Sequence, residues 1–171
     1  LILTISRKIL DSVEKVKEGK FEPEGLTGFD LKGKTIGIIG VGHIGEHVVK
    51  IAKGFEMNVL GCAHHPNKNL ARKLKFKYTS LNNLLKKSDI ITLHVPLTPQ
   101  TKHLINKTNI KLIKKGAILI NTARGPIIET EALLKALNNN TLSGVGLDVL
   151  EEENFIKEES ELLSKKSFKK H

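Results

Sequence analysis

The 171-residue sequence holds one cysteine, one tyrosine, one methionine and no tryptophan. A lone Cys62 excludes a disulfide within the chain, and a reducing cytoplasm is the default setting for such a composition. Cys62 sits in an apolar run and reads as a small core residue, not a nucleophile. No run of about eighteen apolar residues occurs, so no membrane span is indicated. The first residues, Leu1 to Lys8, lack a Met and a basic stretch ahead of an apolar one. They make a poor secretory signal and read as the start of a chain cut from something longer. Aromatics are scarce at 4 %, and only Arg7, Arg72 and Arg124 among the 28 basic residues are arginines. The net charge of +10 therefore reads as a solvated lysine surface and not as a nucleic-acid site.

What is present is a pattern. Apolar residues make up 39 %, and the length suits one domain with a substantial core. Residues Leu1 to Lys20 carry a helical stripe of Ile2, Ile5, Ile9, Val13 and Val16, with Gly19 as a stop. Phe21 to Leu31, with Pro23, Gly25 and Gly28, read as a connection. From Lys34 short apolar strands alternate with helices. The strands are Thr35–Ile39, Val59–Cys62, Ile90–His94, Ala117–Asn121 and Gly144–Val149. Helices are expected after Ile44, at Leu70–Lys75, at Leu81–Lys87 behind a Ser80 cap, at Asn106–Lys115 and at Glu129–Asn138. Strands apolar throughout and separated by helices predict a parallel sheet covered on both faces. After Val149 the pattern decays into a charged tail, expected as a loop and a loose helix.

The first strand runs into Gly40-Val41-Gly42-His43-Ile44-Gly45, which opens a helix. A lone GxGxxG is weak, but strand-turn-helix context gives it a mechanism. Gly40 permits the tight turn, Gly42 lets backbone approach a pyrophosphate, and Gly45 lets the helix pack close. The N–H groups of His43 and Ile44 then face the phosphates at a helix N-terminus. The predicted fold is a Rossmann-type α/β domain, a doubly wound parallel sheet binding a dinucleotide. The carboxylate that normally holds the adenosine ribose is absent. Ala63 stands at that place, followed by His64, His65, Pro66, Asn67 and Lys68, and no Asp or Glu lies between Glu56 and Asp89. Imidazoles and a lysine do not repel a 2′-phosphate, so NAD is expected with NADP open. No metal cofactor is indicated.

Three later segments add chemistry: Leu93 to Thr101, Lys115 to Gly125 (ending Asn121-Thr122-Ala123-Arg124-Gly125), and Gly144 to Glu153. Arg124 follows a strand at the edge where open α/β sheets place ligands. A guanidinium there can grip a carboxylate with two hydrogen bonds and polarise a neighbouring carbonyl. Asp148 and Glu153 also follow a strand, although spacing alone leaves Glu151 and Glu152 equal to Glu153.

In the order of these segments the chain resembles the D-isomer-specific 2-hydroxyacid dehydrogenases, the D-lactate, D-3-phosphoglycerate and glyoxylate/hydroxypyruvate type, from about Leu1 to Glu153. The resemblance implies that Arg124 binds the substrate carboxylate and carbonyl. Asp148, 24 residues later, would contact the nicotinamide end of the cofactor, and Glu153, five further on, would pair with the catalytic histidine. His43 and Ile44 match the pyrophosphate pair; Val95, Pro96 and Thr101 the cofactor-lining loop; Thr122 and Ala123 the backbone beside the nicotinamide. His94 belongs to a different motif from the acid/base histidine and reads as structural or at the cofactor's edge. The family's acid/base histidine lies beyond Glu153 in a Thr-Pro-His-type context that this chain lacks, and the substrate-binding domain is missing too. The implied reaction is hydride transfer between NAD(P) and a D-2-hydroxy or 2-oxo acid, with the chain by itself binding cofactor without turnover. The expected layout is a dinucleotide-binding domain over 1–153, with 1–20 an interdomain or dimer helix, and a C-terminal extension over 154–171. A cytoplasmic homodimer is implied, with no nucleic-acid or membrane partner. The competing readings are a non-catalytic, NAD(H)-sensing co-repressor-like module and another Rossmann enzyme such as an adenosylhomocysteine-hydrolase-like one. A retained substrate arginine argues against the first, and the Asn121 to Gly125 segment against the second.

Overall fold

The computed structural model describes residues 1–151. Six parallel strands form one sheet: β1 (Thr35–Ile39), β2 (Asn58–Cys62), β3 (Lys77–Tyr78), β4 (Ile90–Leu93), β5 (Ala117–Asn121) and β6 (Leu142–Leu147). Their spatial order is β3-β2-β1-β4-β5-β6. The order reverses between β1 and β4, and there the carboxyl ends of the strands open a crevice.

Alternation along the strands divides the core in two. Ile36, Ile38, Ile90, Ile118 and Ile120 face one layer with Val49, Ala52, Met57 and Phe76. Ile39, Ile91, Leu93 and Leu119 face the other with Leu84, Leu85, Ile127, Leu133 and Ala136. Helix α3 (His43–Gly54) and α4 (Lys68–Lys73) supply the first layer, α5 (Leu81–Lys87) and α6 (Thr130–Asn138) the second. Both sheet faces are thus covered, as a sheet of continuously apolar strands requires.

The expected N-terminal helix is two helices, α1 (Ile2–Ser6) and α2 (Ile9–Lys17), parted by Lys8 at φ +51°. The break has a long-range cause. The Phe29 N–H donates to the Ser6 carbonyl (2.9 Å), which a continuous helix would have given to Leu10. The expected helix over Asn106–Lys115 is a loop with one 3₁₀ turn at Ile110–Leu112. Here side chains compete with the helix: Asn106 Oδ1 accepts from the N–H groups of Thr108 (2.9 Å) and Asn109 (3.2 Å), and Asn109 Oδ1 accepts from Asn106 N–H (3.0 Å). Strand β3 is too short to carry a period and escaped the sequence reading. The last strand begins at Leu142, ahead of the expected Gly144. Residues 152–171 lie outside the described part, and with them the expected tail helix and the 154–171 extension. Among the described residues no helix is long and apolar enough to cross a membrane.

Candidate functional site

The glycine loop joins β1 to α3 at the point where the strand order reverses. Gly40 takes φ +93°, and a Cβ on it would run into the His94 carbonyl. A Cβ on Gly45 would collide with the Gly40 carbonyl, so α3 can start this close to the strand only with glycine there. Gly42 differs: a Cβ on it would meet no atom within 4 Å, so its backbone lies open to the crevice. Gly42 is also the N-cap of α3 and offers no side-chain acceptor to the first turn. The N–H groups that begin α3 are thus left for an anion, with the helix dipole adding about 0.3–1 kcal/mol. A dinucleotide pyrophosphate fits both the space and the donors.

The crevice beyond this loop encloses about 640 Å³ and is lined by Gly42, His43, Ile44, His94, Val95, Pro96, Leu97, Thr122, Ala123 and Arg124. Ile44 is 65 % exposed on α3, an apolar side chain facing the opening and not the core. Arg124 lies three residues past β5 as the N-cap of a 3₁₀ turn, Gly125–Ile127. Its guanidinium bonds only the Ala123 carbonyl (2.6 Å) and pairs with no acid among the described residues.

Arg124 is held in place by a residue that the sequence reading left unassigned. Asn121, 1 % exposed, donates from Nδ2 to the Arg124 carbonyl (2.9 Å) and accepts on Oδ1 from the Ala123 N–H (3.0 Å). Its own carbonyl accepts from Asp148 N–H (3.0 Å), which ties the end of β6 to the same turn. An asparagine ending an otherwise apolar strand was the available signal. Asp148 is exposed at that edge, outside the crevice lining.

Thr101 works within its loop and not on the crevice wall. Its hydroxyl donates to the Pro96 carbonyl (2.6 Å) and accepts from the Thr98 N–H (2.8 Å). His94 lies half-buried with Nε2 2.9 Å from Thr92 Oγ1. Burial lowers its pKa, so it stays neutral at neutral pH. Cys62 is free, and burial pushes its thiol up and away from the thiolate form.

The three glutamates after β6 separate in part. Glu151 accepts from the Thr130 N–H (2.9 Å) and hydroxyl (2.6 Å) at the start of α6 and also contacts His103. Burial raises its pKa, but the Thr130 and His103 bonds outweigh that and hold it below the ordinary value. Glu151 thus has a structural post, while Glu153 lies outside the described residues. Ala63 and His64 follow β2, whose Cys62 carbonyl accepts from the Gly40 N–H (2.8 Å). The residues that follow β2 therefore adjoin the glycine loop.

A sequence profile described as "D-isomer specific 2-hydroxyacid dehydrogenase, NAD binding domain" matches residues 1–168. The chain belongs to this family. Similar proteins include a 2-hydroxyacid dehydrogenase homolog of Zymomonas mobilis, 45 % identical over 154 residues, which are 90 % of this chain and 46 % of that protein. A glyoxylate reductase of Pyrococcus horikoshii is 43 % identical over 166 residues, 93 % of this chain and 50 % of the relative. Among solved structures, a D-lactate dehydrogenase from Aquifex aeolicus complexed with NAD and lactic acid superposes with a TM-score of 0.87 at 39 % identity, covering 95 % of this chain and 49 % of that one. The chain spans about half the length of the curated relatives it matches. As an NAD-binding domain of these dehydrogenases it has the expected fold, and the co-repressor reading finds no support among these relatives.

Proposed function

We propose that this domain serves an NAD(P)-dependent D-2-hydroxyacid dehydrogenase that interconverts a small 2-hydroxy acid and its 2-oxo acid. The observation that carries the proposal is that Arg124, free of any carboxylate among the described residues, lines the same crevice as the open start of α3. A nicotinamide dinucleotide held in this crevice would supply the hydride chemistry. Gly42, His43 and Ile44 would hold its pyrophosphate through backbone N–H groups. Val95, Pro96, Thr122 and Ala123 shape the wall beside the nicotinamide, with Thr101 keeping the Pro96 loop folded. Arg124 grips the substrate carboxylate and stabilises negative charge on the reacting oxygen. By the family resemblance Asp148, at the same sheet edge, would attend the nicotinamide end, and Glu153 would orient and raise the pKa of a histidine that moves the proton. No histidine lies between Glu153 and the terminal His171, so the 171 residues bind cofactor without completing the reaction. The domain assignment over 1–153, with 154–171 leading away from it, follows the same reading.

The test is Arg124→Lys in an enzyme that carries this domain. We expect kcat/KM for the 2-oxo acid to fall about 100-fold or more, as when one donor to a developing oxyanion is lost. The NADH dissociation constant should change less than about threefold. An unchanged kcat/KM would remove the arginine from the mechanism.

We also propose a homodimer in a reducing, cytoplasmic setting. No residue of α2 is buried, and Ile9, Leu10, Val13 and Val16 are 45–65 % exposed. Leu1 and Leu3 of the neighbouring segment border an apolar groove with Ile51 and Phe55. Helix α2 carries Asp11 and Glu14 ahead of Lys15 and Lys17, so two copies paired antiparallel set acid against base. A second copy is the partner that this charge order suits. The single thiol, held protonated by burial, fits a compartment where disulfides are not used.

A further inference from the structure

The carboxyl end of β2 is where a Rossmann site reads the adenosine ribose, and this chain presents an unusual surface there. A carboxylate at that position accepts from the ribose hydroxyls and repels a 2′-phosphate. Ala63 occupies it with a half-buried methyl group. From residue 57 to residue 88 the chain holds Lys68, Arg72, Lys73, Lys75, Lys77, Lys86 and Lys87 and no acid at all.

Those of the cations that start near Ala63 are arranged at the loop that follows it. His64 and His65 are exposed, with Nδ1 of the first 3.0 Å from Nε2 of the second and the rings edge to face. A neutral pair spends one N–H on that bond and keeps one free to donate, and protonation of either ring adds another. Lys68 opens α4 four residues after His64. Arg72, one turn along α4, bonds the Asn69 side chain. The acid facing this region from α3 is Glu46. It is tied to Lys50 at 2.7 Å and lies in the field of His47 and Lys73, with the Lys50 bond the chief reason its pKa is lowered. Its charge is already met. The loop therefore offers donors and positive charge where a NAD-selective site offers a carboxylate. The Gly40 to Cys62 hydrogen bond keeps it beside the pyrophosphate loop.

We propose that this surface accepts a ribose 2′-phosphate, so that the chain binds NADP(H) at least as tightly as NAD(H). His64, His65 and Lys68 are the groups that face the phosphate. The proposal rests on the reading of the crevice as a nicotinamide-dinucleotide site and adds the identity of its adenosine end.

The experiment is equilibrium binding to the 171-residue chain, with no turnover needed. NADH and NADPH are titrated separately by their own fluorescence, which no tryptophan in this chain overlaps. 2′,5′-ADP and 5′-ADP then compete for the same site and isolate the 2′-phosphate. We expect NADPH to bind as tightly as NADH or more tightly, and 2′,5′-ADP to outcompete 5′-ADP. Ala63→Asp should move the NADPH-to-NADH affinity ratio about tenfold or more toward NADH, and the double variant His64→Ala/His65→Ala should move it in the same direction. NADH binding more tightly than NADPH in the unaltered chain would overturn the proposal and leave the dinucleotide site standing. Binding of neither would bring down both.

Discussion

The position of Arg124 depends on Asn121, and the structure sets the size of that dependence. Asn121→Ala removes two hydrogen bonds from a side chain that is 1 % exposed. The Ala123 N–H and the Arg124 carbonyl lose their protein partners, and each such loss costs about 1–3 kcal/mol when water cannot replace the bond fully. Since Ala123 and Arg124 border an open crevice, the lower half of that range applies, giving about 3 kcal/mol for the pair. With a urea slope of about 2 kcal/mol/M for a domain of this size, the unfolding midpoint should drop by ~1.5 M. The matched control is Ser143→Ala. It deletes a 2.7 Å bond to the Gly116 carbonyl on an exposed residue and should cost less than about 0.5 kcal/mol. Urea unfolding followed by circular dichroism measures both. If Asn121→Ala unfolds within about 0.3 M of the Ser143→Ala midpoint, the turn is not held by Asn121 and the reasoning about Arg124 fails.

Two further perturbations test other links. Asp89 accepts from the Thr35 N–H (2.8 Å) and from Lys114 (2.6 Å) at the amino edge of the sheet. Burial pushes its pKa up, but these two bonds prevail and hold it below the ordinary carboxylate value. Its contribution is therefore complete above about pH 4 and is lost as the pH falls through the lowered pKa. Asp89→Asn should cost about 1–2 kcal/mol at pH 7, and the gap from the unaltered chain should close toward pH 3; a gap constant from pH 7 to pH 3 would contradict the assignment. Val13→Glu places a charge on the exposed apolar stripe of α2 and should shift light-scattering mass from dimer to monomer without changing the far-ultraviolet spectrum; equal mass for both proteins would remove α2 from the interface.

The parts of this fold legible in the sequence are those set by local pattern. Apolar runs such as Ile36 to Ile39 and Ala117 to Ile120 are buried on both faces and look the same from sequence as from structure. Gly40, Gly42 and Gly45 are legible because each answers a separate geometric need within six residues. What escaped was decided at a distance or by side-chain competition. Nothing near Ser6 announces that Phe29 will take its carbonyl and split the N-terminal helix. The Asn106 and Asn109 side chains replace helical bonds with their own, and the apolar residues around them, Leu112 and Ile113, still suggest a helix. At the site, Arg124 stood out as a charge after an apolar strand, whereas Asn121 acts through a turn that folds back on it. Glu151 could not be told from its neighbours by spacing. Only its contacts with Thr130 and His103 give it a separate task.

The central claim is that the start of α3, bared by Gly42, binds a nicotinamide dinucleotide. Its most direct test is a fluorescence titration of NADH against the 171-residue chain and against Gly42→Val, whose side chain would fill the open space above the loop. Saturable one-to-one binding by the unaltered chain is expected, weakened at least tenfold by the substitution while the fold is kept. Equal binding by both, or none by the folded chain, would contradict it.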